Sequence, residues 1–175
     1  MQPPQSKNKI YLTGFMGVAK TSVGRCLAEK LDVGFYDLDE LTEKKLGQTV
    51  AKIFEEHGEA VFRDWESTAL SEVSGRSEPL VVALGGGTLL RHDNGAKIEA
   101  TGIRVHLKAS WVVLLERLKN QKRLRPLLNG KMELDQLRLL WDKRKEQYEK
   151  CEIEYLTDGQ SVDEVAAGLF SQWVI

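Results

Sequence analysis

Residues 14–21, which read GFMGVAKT, have almost the spacing of a phosphate-binding loop, G-x-x-x-x-G-K-[ST]. In such a loop, backbone N–H groups at the start of a helix surround phosphate oxygens. Lys20 would contact the outer phosphates as a point charge, and the hydroxyl of Thr21 would ligate Mg²⁺. The pattern therefore predicts a nucleotide site. Its contacts would come from Gly14, Gly17, Val18, Ala19, Lys20, Thr21 and Ser22.

Ala19 stands where the second glycine of the loop pattern is expected. One reason for a glycine there is backbone torsion, because a left-handed residue with a Cβ costs about 1–2 kcal/mol. That cost corresponds to roughly a tenfold loss of nucleotide affinity. The other reason is space, since a Cβ that overlaps a phosphate would cost more and could abolish binding. The two reasons predict a weakened site and a disabled site, respectively.

Two carboxylates follow the second predicted strand, at Asp37 and Asp39. Asp37 could contact the Mg²⁺ shell, and Asp39 could receive a proton from a substrate hydroxyl. An alternative role for Asp39 is to cap the helix predicted over Glu40–Leu46. The two roles of Asp39 are compatible.

Three further segments carry groups that could hold a small anion. Residues 62–66 read FRDWE, in which Arg63 and Glu66 have the spacing of a helical ion pair. Residues 85–87 read GGG after a buried strand, which indicates either a close approach to the backbone or a plain turn. Residues 120–132 are basic and contain Pro126 and Gly130. That segment is either a lid over phosphates or a solvated connection.

The composition bounds the class of protein. The 175 residues are 42% hydrophobic and 29% charged, which is typical of one globular domain, with residues 1–8 as a flexible N-terminus. The net charge of −1 gives no global electrostatic case for binding nucleic acid or a membrane surface. No apolar run has the length of a signal peptide core or a membrane span. We expect a cytoplasmic monomer with its two cysteines reduced.

Short apolar runs alternate with helical patterns, which indicates a parallel α/β sheet with helices on both faces. Ligands of such sheets bind beyond the carboxyl ends of the strands, so the turns after Thr13, Tyr36 and Leu84 should share one rim. The expected strands are Lys9–Thr13, Val33–Asp37, Leu80–Leu84, Ile103–Leu107 and Glu152–Leu156. The expected helices are Thr21–Leu31, Asp39–Leu46, Thr49–Ser74, Ser110–Lys119, Glu133–Glu149 and Ser161–Trp173, with breaks near Gly47 and Gly58.

Together these segments resemble the shikimate kinase family over about residues 8–173. The family pattern combines the phosphate loop with a DxD, an FRxxE, a GGG, an RPLL in the lid and an R-x3-Y on a late helix. This sequence has the same motifs in the same order, as DLD at 37–39, FRDWE at 62–66, GGG at 85–87, RPLL at 125–128 and RKEQY at 144–148. It departs from the family at Ala19 and in residues 157–161, where the family usually has a proline.

The resemblance implies a single nucleoside-monophosphate-kinase-like domain over residues 1–175, with a five-stranded parallel sheet in the order 2-3-1-4-5. Residues 39–74 would form the substrate-binding helices, and residues 120–132 the lid. The implied reaction is transfer of the γ-phosphoryl group of ATP to shikimate, with Mg²⁺, in aromatic amino acid biosynthesis. The resemblance places shikimate on Asp39, Arg63, Gly86 and Arg144, the metal near Thr21 and Asp37, and catalysis on Lys20, Asp39 and Arg125.

Two other functions remain open from the sequence. A related small-molecule kinase, for example one that acts on gluconate, would share the loop, but the set Arg63, Gly86 and Arg144 suits a compact ring acid instead. A kinase-fold protein that has lost catalysis and serves as a binding or regulatory module would account for Ala19 and for the missing proline in residues 157–161. Such a protein would be expected to have lost other side chains of the site as well.

Overall fold

The computed structural model describes residues 7–120 and 134–173. Its strands are β1 Lys9–Thr13, β2 Gly34–Asp37, β3 Leu80–Ala83, β4 Gly102–Lys108 and β5 Ile153–Leu156. Its α-helices are α1 Lys20–Leu31, α2 Leu38–Leu46, α3 Val50–Ser74, α4 His92–Thr101, α5 Trp111–Asn120, α6 Leu134–Glu149 and α7 Val162–Trp173. A 3₁₀ turn over Thr88–Leu90 precedes α4.

The five strands form one parallel sheet in the order β2-β3-β1-β4-β5, as the family resemblance implies. The central strand β1 is buried along its whole length. It pairs with β3 from Lys9 opposite Leu80, and with β4 from Lys9 opposite Gly102. Since all strands run in the same direction, the turns that follow β1, β2 and β3 meet at one rim of the sheet.

The two faces of the sheet contribute to two separate hydrophobic clusters. Ile10 and Leu12 point to one side and pack with residues of α1, α5, α6 and α7. Tyr11 points to the other side and packs with residues of α2, α3 and α4. Alternate residues of one strand face opposite sides, so this division follows directly from the apolar sequence of β1. The result is the three-layer arrangement expected of an α/β protein.

Most predicted elements are confirmed within a residue or two at each end. The break expected near Gly58 is a kink inside α3, where Gly58 has φ 81° and ψ 169°. The capping box at the start of α7 is also present. Its two hydrogen bonds join the Ser161 N–H to Glu164 Oε2 at 2.7 Å and the Glu164 N–H to Ser161 Oγ at 3.3 Å.

The sequence reasoning missed α4 and the 3₁₀ turn before it. Helix α4 has Gly95 in its first half, and Ile98 is the apolar residue that it buries in the core. It therefore lacks the repeating apolar face that predicts a helix. It is instead tied to its neighbours by the buried amide of Asn94, which donates to Thr88 O and Ser67 Oγ.

Two predictions fall on residues that the structure does not describe. Apart from Asn120, which ends α5, the predicted lid over residues 120–132 lies outside the described ranges, and so does Arg125. The lid therefore stays a prediction, and so does the single-domain organisation.

Within residues 7–120 and 134–173, no helix is both long and apolar enough to cross a membrane.

Candidate active site

The loop of residues 14–21 joins β1 to α1 at the rim of the sheet. Gly14 has φ 141°, and a Cβ at this position would overlap the carbonyl oxygen of Leu107 on β4. Val18 is only 1% exposed and belongs to the core, and its N–H donates to Phe15 O at 3.4 Å within the loop. Ser22 is exposed on the first turn of α1. The sequence therefore builds the strand–loop–helix context that the phosphate-loop pattern requires.

Ala19 adopts the left-handed conformation that glycine normally provides, with φ 70° and ψ 31°. It is the N-cap of α1, and its carbonyl accepts the first helical hydrogen bond from the Val23 N–H at 2.9 Å. Of the two reasons for a glycine at this position, backbone torsion therefore applies. The cost is about 1–2 kcal/mol for a residue with a Cβ.

Lys20 and Thr21, the two polar side chains of the loop pattern, are both engaged. The buried ammonium of Lys20 donates to the carbonyl oxygens of Gly14 at 2.8 Å and Phe15 at 3.2 Å, so it lies inside the curve of the loop. The hydroxyl of Thr21 donates to Asp37 Oδ2 at 2.6 Å. This bond joins α1 to the end of β2.

Asp37, rather than Asp39, is the cap of α2, which corrects the alternative role considered for Asp39. Asp37 Oδ1 accepts the N–H of Asp39 at 2.9 Å and of Glu40 at 3.3 Å. The helix begins two residues earlier than Glu40, so Asp39 lies in its first turn and is not its cap.

A buried charged cluster lies beside this turn, around Arg63 on α3. Arg63 Nη1 donates to Glu66 Oε2 at 2.8 Å, which confirms the ion pair expected from their spacing. Nε and Nη2 of Arg63 both donate to Oε1 of the exposed Glu59. Burial acts to lower the pKa of the Arg63 guanidinium, but the charges and hydrogen bonds of Glu66 and Glu59 outweigh it and raise that pKa. Arg63 is therefore a permanent cation.

Glu66 is completely buried, and the structure shows what compensates its charge. Besides Arg63, it is bound by the hydroxyl of Thr88, which donates to Glu66 Oε1 at 2.5 Å. Thr88 begins the 3₁₀ turn after the glycine run. Sequence reasoning missed Thr88 and Glu59, because neither belongs to a motif and the Thr88 contact joins residues 22 positions apart.

The glycine run 85–87 is both a turn and a close approach. The Thr88 N–H donates to Gly85 O at 3.2 Å, which closes the turn. A Cβ on Gly85 would overlap Glu66 Oε1 and lie 2.8 Å from Asp39 Oδ1, and a Cβ on Gly87 would overlap the guanidinium of Arg63. Only residues without a side chain let these charged groups lie against the backbone.

Arg144 reaches the same turn from α6. It is 4% exposed, and its Nη1 lies 3.1 Å from the position of a Cβ on Gly86. Its Nε is buried without a hydrogen-bond partner among the described residues. The structure thus brings together four predicted site residues that are distant in sequence, namely Asp39, Arg63, Gly86 and Arg144.

The two halves of the site are adjacent. The Leu84 N–H donates to Leu12 O at 3.0 Å, so the glycine run and the loop of residues 14–21 leave neighbouring strands side by side. The first turn of α2 connects them, since Asp37 binds Thr21 and Asp39 lies against Gly85. The two arginines of this cluster can bind the carboxylate of a ligand. The carboxylate of Asp39 lies beside them, next to a loop suited to phosphates.

The strand order, together with a phosphate-loop sequence between β1 and α1, defines the class of P-loop kinases. The sequence model of the family described as shikimate kinase matches residues 16–173. The chain belongs to the shikimate kinase family.

Individual proteins agree with this assignment. The chain is 38% identical to the shikimate kinase of Thermodesulfovibrio yellowstonii over 94% of each chain. It is 50% identical to that of Gloeobacter violaceus over 69% of this chain and 67% of the other. The structure of the Acinetobacter baumannii shikimate kinase in complex with shikimate superposes with a TM-score of 0.89 at 34% identity, covering 97% of this chain and 94% of that one.

Proposed function

We propose that the protein is an active shikimate kinase, which transfers the γ-phosphoryl group of ATP to a shikimate hydroxyl and releases shikimate 3-phosphate and ADP. The observation that carries the proposal is the convergence of Arg63, Arg144 and Asp39 on the glycine run 85–87, beside the loop of residues 14–21. The substrate named for the Acinetobacter relative, shikimate, is a ring acid with hydroxyl groups. Such a molecule needs both the cations and the carboxylate of this cluster.

Arg63 and Arg144 would hold the carboxylate of shikimate, since a guanidinium matches a carboxylate with paired N–H donors. Glu66 binds Nη1 of Arg63 and Glu59 binds its Nε and Nη2, so both orient the guanidinium without being substrate ligands. Gluconate, a flexible open-chain acid, would gain less from two arginines fixed around one compact turn. This difference supports shikimate over gluconate as the acceptor.

Asp39 would bind the ring hydroxyls and orient the attacking one, and it would accept the proton as the new bond to phosphorus forms. Its position in the first turn of α2, beside Gly85 and two residues after Asp37, which binds Thr21, supports this role. Catalysis of phosphoryl transfer consists mainly of such positioning and of charge neutralisation.

Lys20 would neutralise charge on the transferred phosphoryl group, with Arg125 from the lid as a second cation. The residues at the metal position fit Mg²⁺, which prefers oxygen ligands. The Thr21 hydroxyl donates a hydrogen bond to Asp37 Oδ2, which orients it and leaves the lone pairs of its oxygen for a cation. Bound Mg²⁺ would supply positive charge for the β- and γ-phosphates. The remaining nucleotide contacts would come from Gly14, Gly17, Val18, Ala19 and Ser22.

We place this activity in the cytoplasm, in a monomer, within aromatic amino acid biosynthesis, where shikimate 3-phosphate leads to chorismate. The supporting observations are the family membership and the net charge of −1, which favours neither nucleic acid nor a membrane surface as a partner.

Replacement of Asp39 tests the proposed chemistry. We expect Asp39→Asn to lower turnover of shikimate by a factor of about 100 or more, since a lost general base typically costs that much. The fold should survive, because Asp37 and not Asp39 caps α2. Asp163→Asn is the matched control, since Asp163 is exposed on α7 and should leave turnover unchanged. Near-normal turnover of Asp39→Asn would remove Asp39 from the mechanism.

A further inference from the structure

Asp39, Arg63, Gly86 and Arg144 form the proposed acid-binding cluster, and Tyr148 makes a contact in it that the mechanism above does not use. It lies on α6 and is 3% exposed. Its hydroxyl donates to the carbonyl oxygen of Gly86 at 2.6 Å, across 62 residues of sequence. Its ring packs against His106 on β4, with ring centroids 5.5 Å apart, in the same hydrophobic cluster as Phe15 of the phosphate loop.

Tyr148 and Arg144 approach Gly86 together. They are four residues apart on α6, so they project from the same face of the helix one turn apart. From the position of a Cβ on Gly86, Arg144 Nη1 lies 3.1 Å away and the Tyr148 hydroxyl oxygen 3.7 Å away. The hydroxyl thus holds the carbonyl while the guanidinium lies over the α-carbon.

A run of three glycines needs such a restraint more than other turns do. Glycine has more accessible backbone conformations than any other residue, so the peptide between Gly86 and Gly87 can rotate at little cost. Because a peptide is planar and trans, fixing the Gly86 carbonyl also fixes the direction of the Gly87 N–H. Gly87 in turn lies directly against Arg63. One hydrogen bond from Tyr148 therefore affects the surroundings of both arginines.

We propose that Tyr148 is a positioning residue for recognition of the substrate acid. Its hydroxyl holds the Gly86 peptide in the orientation in which Arg63 and Arg144 flank the turn, so that a carboxylate meets a preformed site. This inference rests on the proposed function, because it takes the carboxylate of shikimate as the group recognised there. It assigns no proton transfer and no direct substrate contact to Tyr148.

Tyr148→Phe tests the inference, since it removes the hydroxyl and keeps the ring in the core. We expect the Kd of shikimate, measured by calorimetry without nucleotide, to rise about three- to tenfold, the usual effect of one hydrogen bond. The KM for shikimate should rise in parallel, while the KM for ATP and the melting temperature stay close to those of the wild type. Tyr155→Phe is the control, because its hydroxyl binds Gln160 after β5. It should change neither constant for shikimate.

Two results for the variant would overturn the inference. One is an unchanged Kd and KM for shikimate in Tyr148→Phe. The other is an equal rise in the KM for ATP or a marked loss of thermal stability, which would show a general structural role. A failure of the proposed function looks different, since the wild type itself would then neither bind nor phosphorylate shikimate. That result would overturn the proposed function and this inference with it.

Discussion

Ala19 carries a Cβ in a left-handed backbone conformation. Its hydrogen bonding decides whether this strain lowers the stability of the fold or the affinity for nucleotide. Its carbonyl accepts the first hydrogen bond of α1, so its torsion belongs to the helix start itself. The cost therefore reduces the stability of the fold rather than the affinity of each nucleotide. The tenfold loss of affinity expected from the sequence does not follow from a torsion that the folded loop already has.

Ala19→Gly separates a folding cost from a binding cost. We expect the variant to raise the free energy of unfolding by about 0.5–1 kcal/mol, because relief of the left-handed strain exceeds the added chain entropy of glycine. The KM for ATP should change less than about twofold, because the folded loop already has this torsion before ATP binds. A tenfold change would need about 1.4 kcal/mol of binding energy. Chemical denaturation and steady-state kinetics measure the two quantities.

Ala96→Gly is the matched control for that experiment. Ala96 is exposed within α4, where glycine has no strain to relieve, so the same substitution should lower stability by about 0.5–1 kcal/mol. Opposite signs at the two positions would support the torsional explanation. A large drop in the KM for ATP with Ala19→Gly would contradict it and show that the Cβ hinders the phosphate.

The residues of the site differ in how far the sequence revealed them. Arg63 with Glu66 was predictable because helical spacing is local. The competition between Asp37 and Asp39 for the cap of α2 was not, because both have the right side chain and the helix start decides between them. Thr88 and Tyr148 make contacts over long sequence separations, so only the folded chain shows these contacts.

At the scale of elements, β1 and β3 were predictable because each is a short, buried and mainly apolar run with turn residues behind it, whereas β5 alternates apolar and polar residues. The rim was predictable as well, since parallel strands end on the same side. Helix α4 was not, because it buries little apolar surface and is anchored by Asn94. The order of the strands came from the family resemblance, since periodicity says nothing about which strands are neighbours.

Strand β4 gives the protein a pH-dependent stability through His106. Burial lowers the pKa of His106 below its ordinary value of 6.5, and the nearby Glu154 offsets this only in part. The groups around the ring are Glu154 at 3.4 Å, Lys108, Glu149 and the ring of Tyr148. Below pH 6.5 the unfolded chain binds a proton that the folded chain excludes. Stability from this group is therefore present above pH 6.5 and is lost as the pH falls toward the lowered pKa.

His106→Gln tests this dependence. We expect the free energy of unfolding of the wild type to fall more steeply below pH 6.5 than that of the variant, by at most about 1.4 kcal/mol per pH unit. His57→Gln, which removes an exposed histidine of α3, is the control and should keep the wild-type slope. Parallel pH profiles for wild type and His106→Gln would refute the assignment.

At the scale of the whole molecule, the proposed acid-binding cluster joins elements that are distant in sequence. Asp39, Arg63, Gly86 and Arg144 come from α2, α3, the turn after β3 and α6. A ligand that binds all four should therefore stabilise the whole fold. At a concentration of 100 times its Kd, such a ligand adds about 2.7 kcal/mol of stability.

We expect shikimate at that concentration to raise the melting temperature by roughly 5–10 °C, given about 2–4 °C per kcal/mol for a chain of this size. Gluconate at the same concentration serves as the control acid and should cause little change. Arg144→Lys should reduce the shift with shikimate, because lysine cannot present paired donors. Equal shifts with both acids would show that the cluster does not distinguish a compact ring acid.

The most direct test of the central claim is ADP formation by the wild-type protein mixed with Mg·ATP and shikimate, beside samples with gluconate and without acceptor. We predict ADP formation that depends on shikimate and matches the amount of shikimate 3-phosphate formed. If folded protein that binds shikimate forms no ADP with any acceptor, the claim is contradicted, and the loop around Ala19 is a disabled nucleotide site.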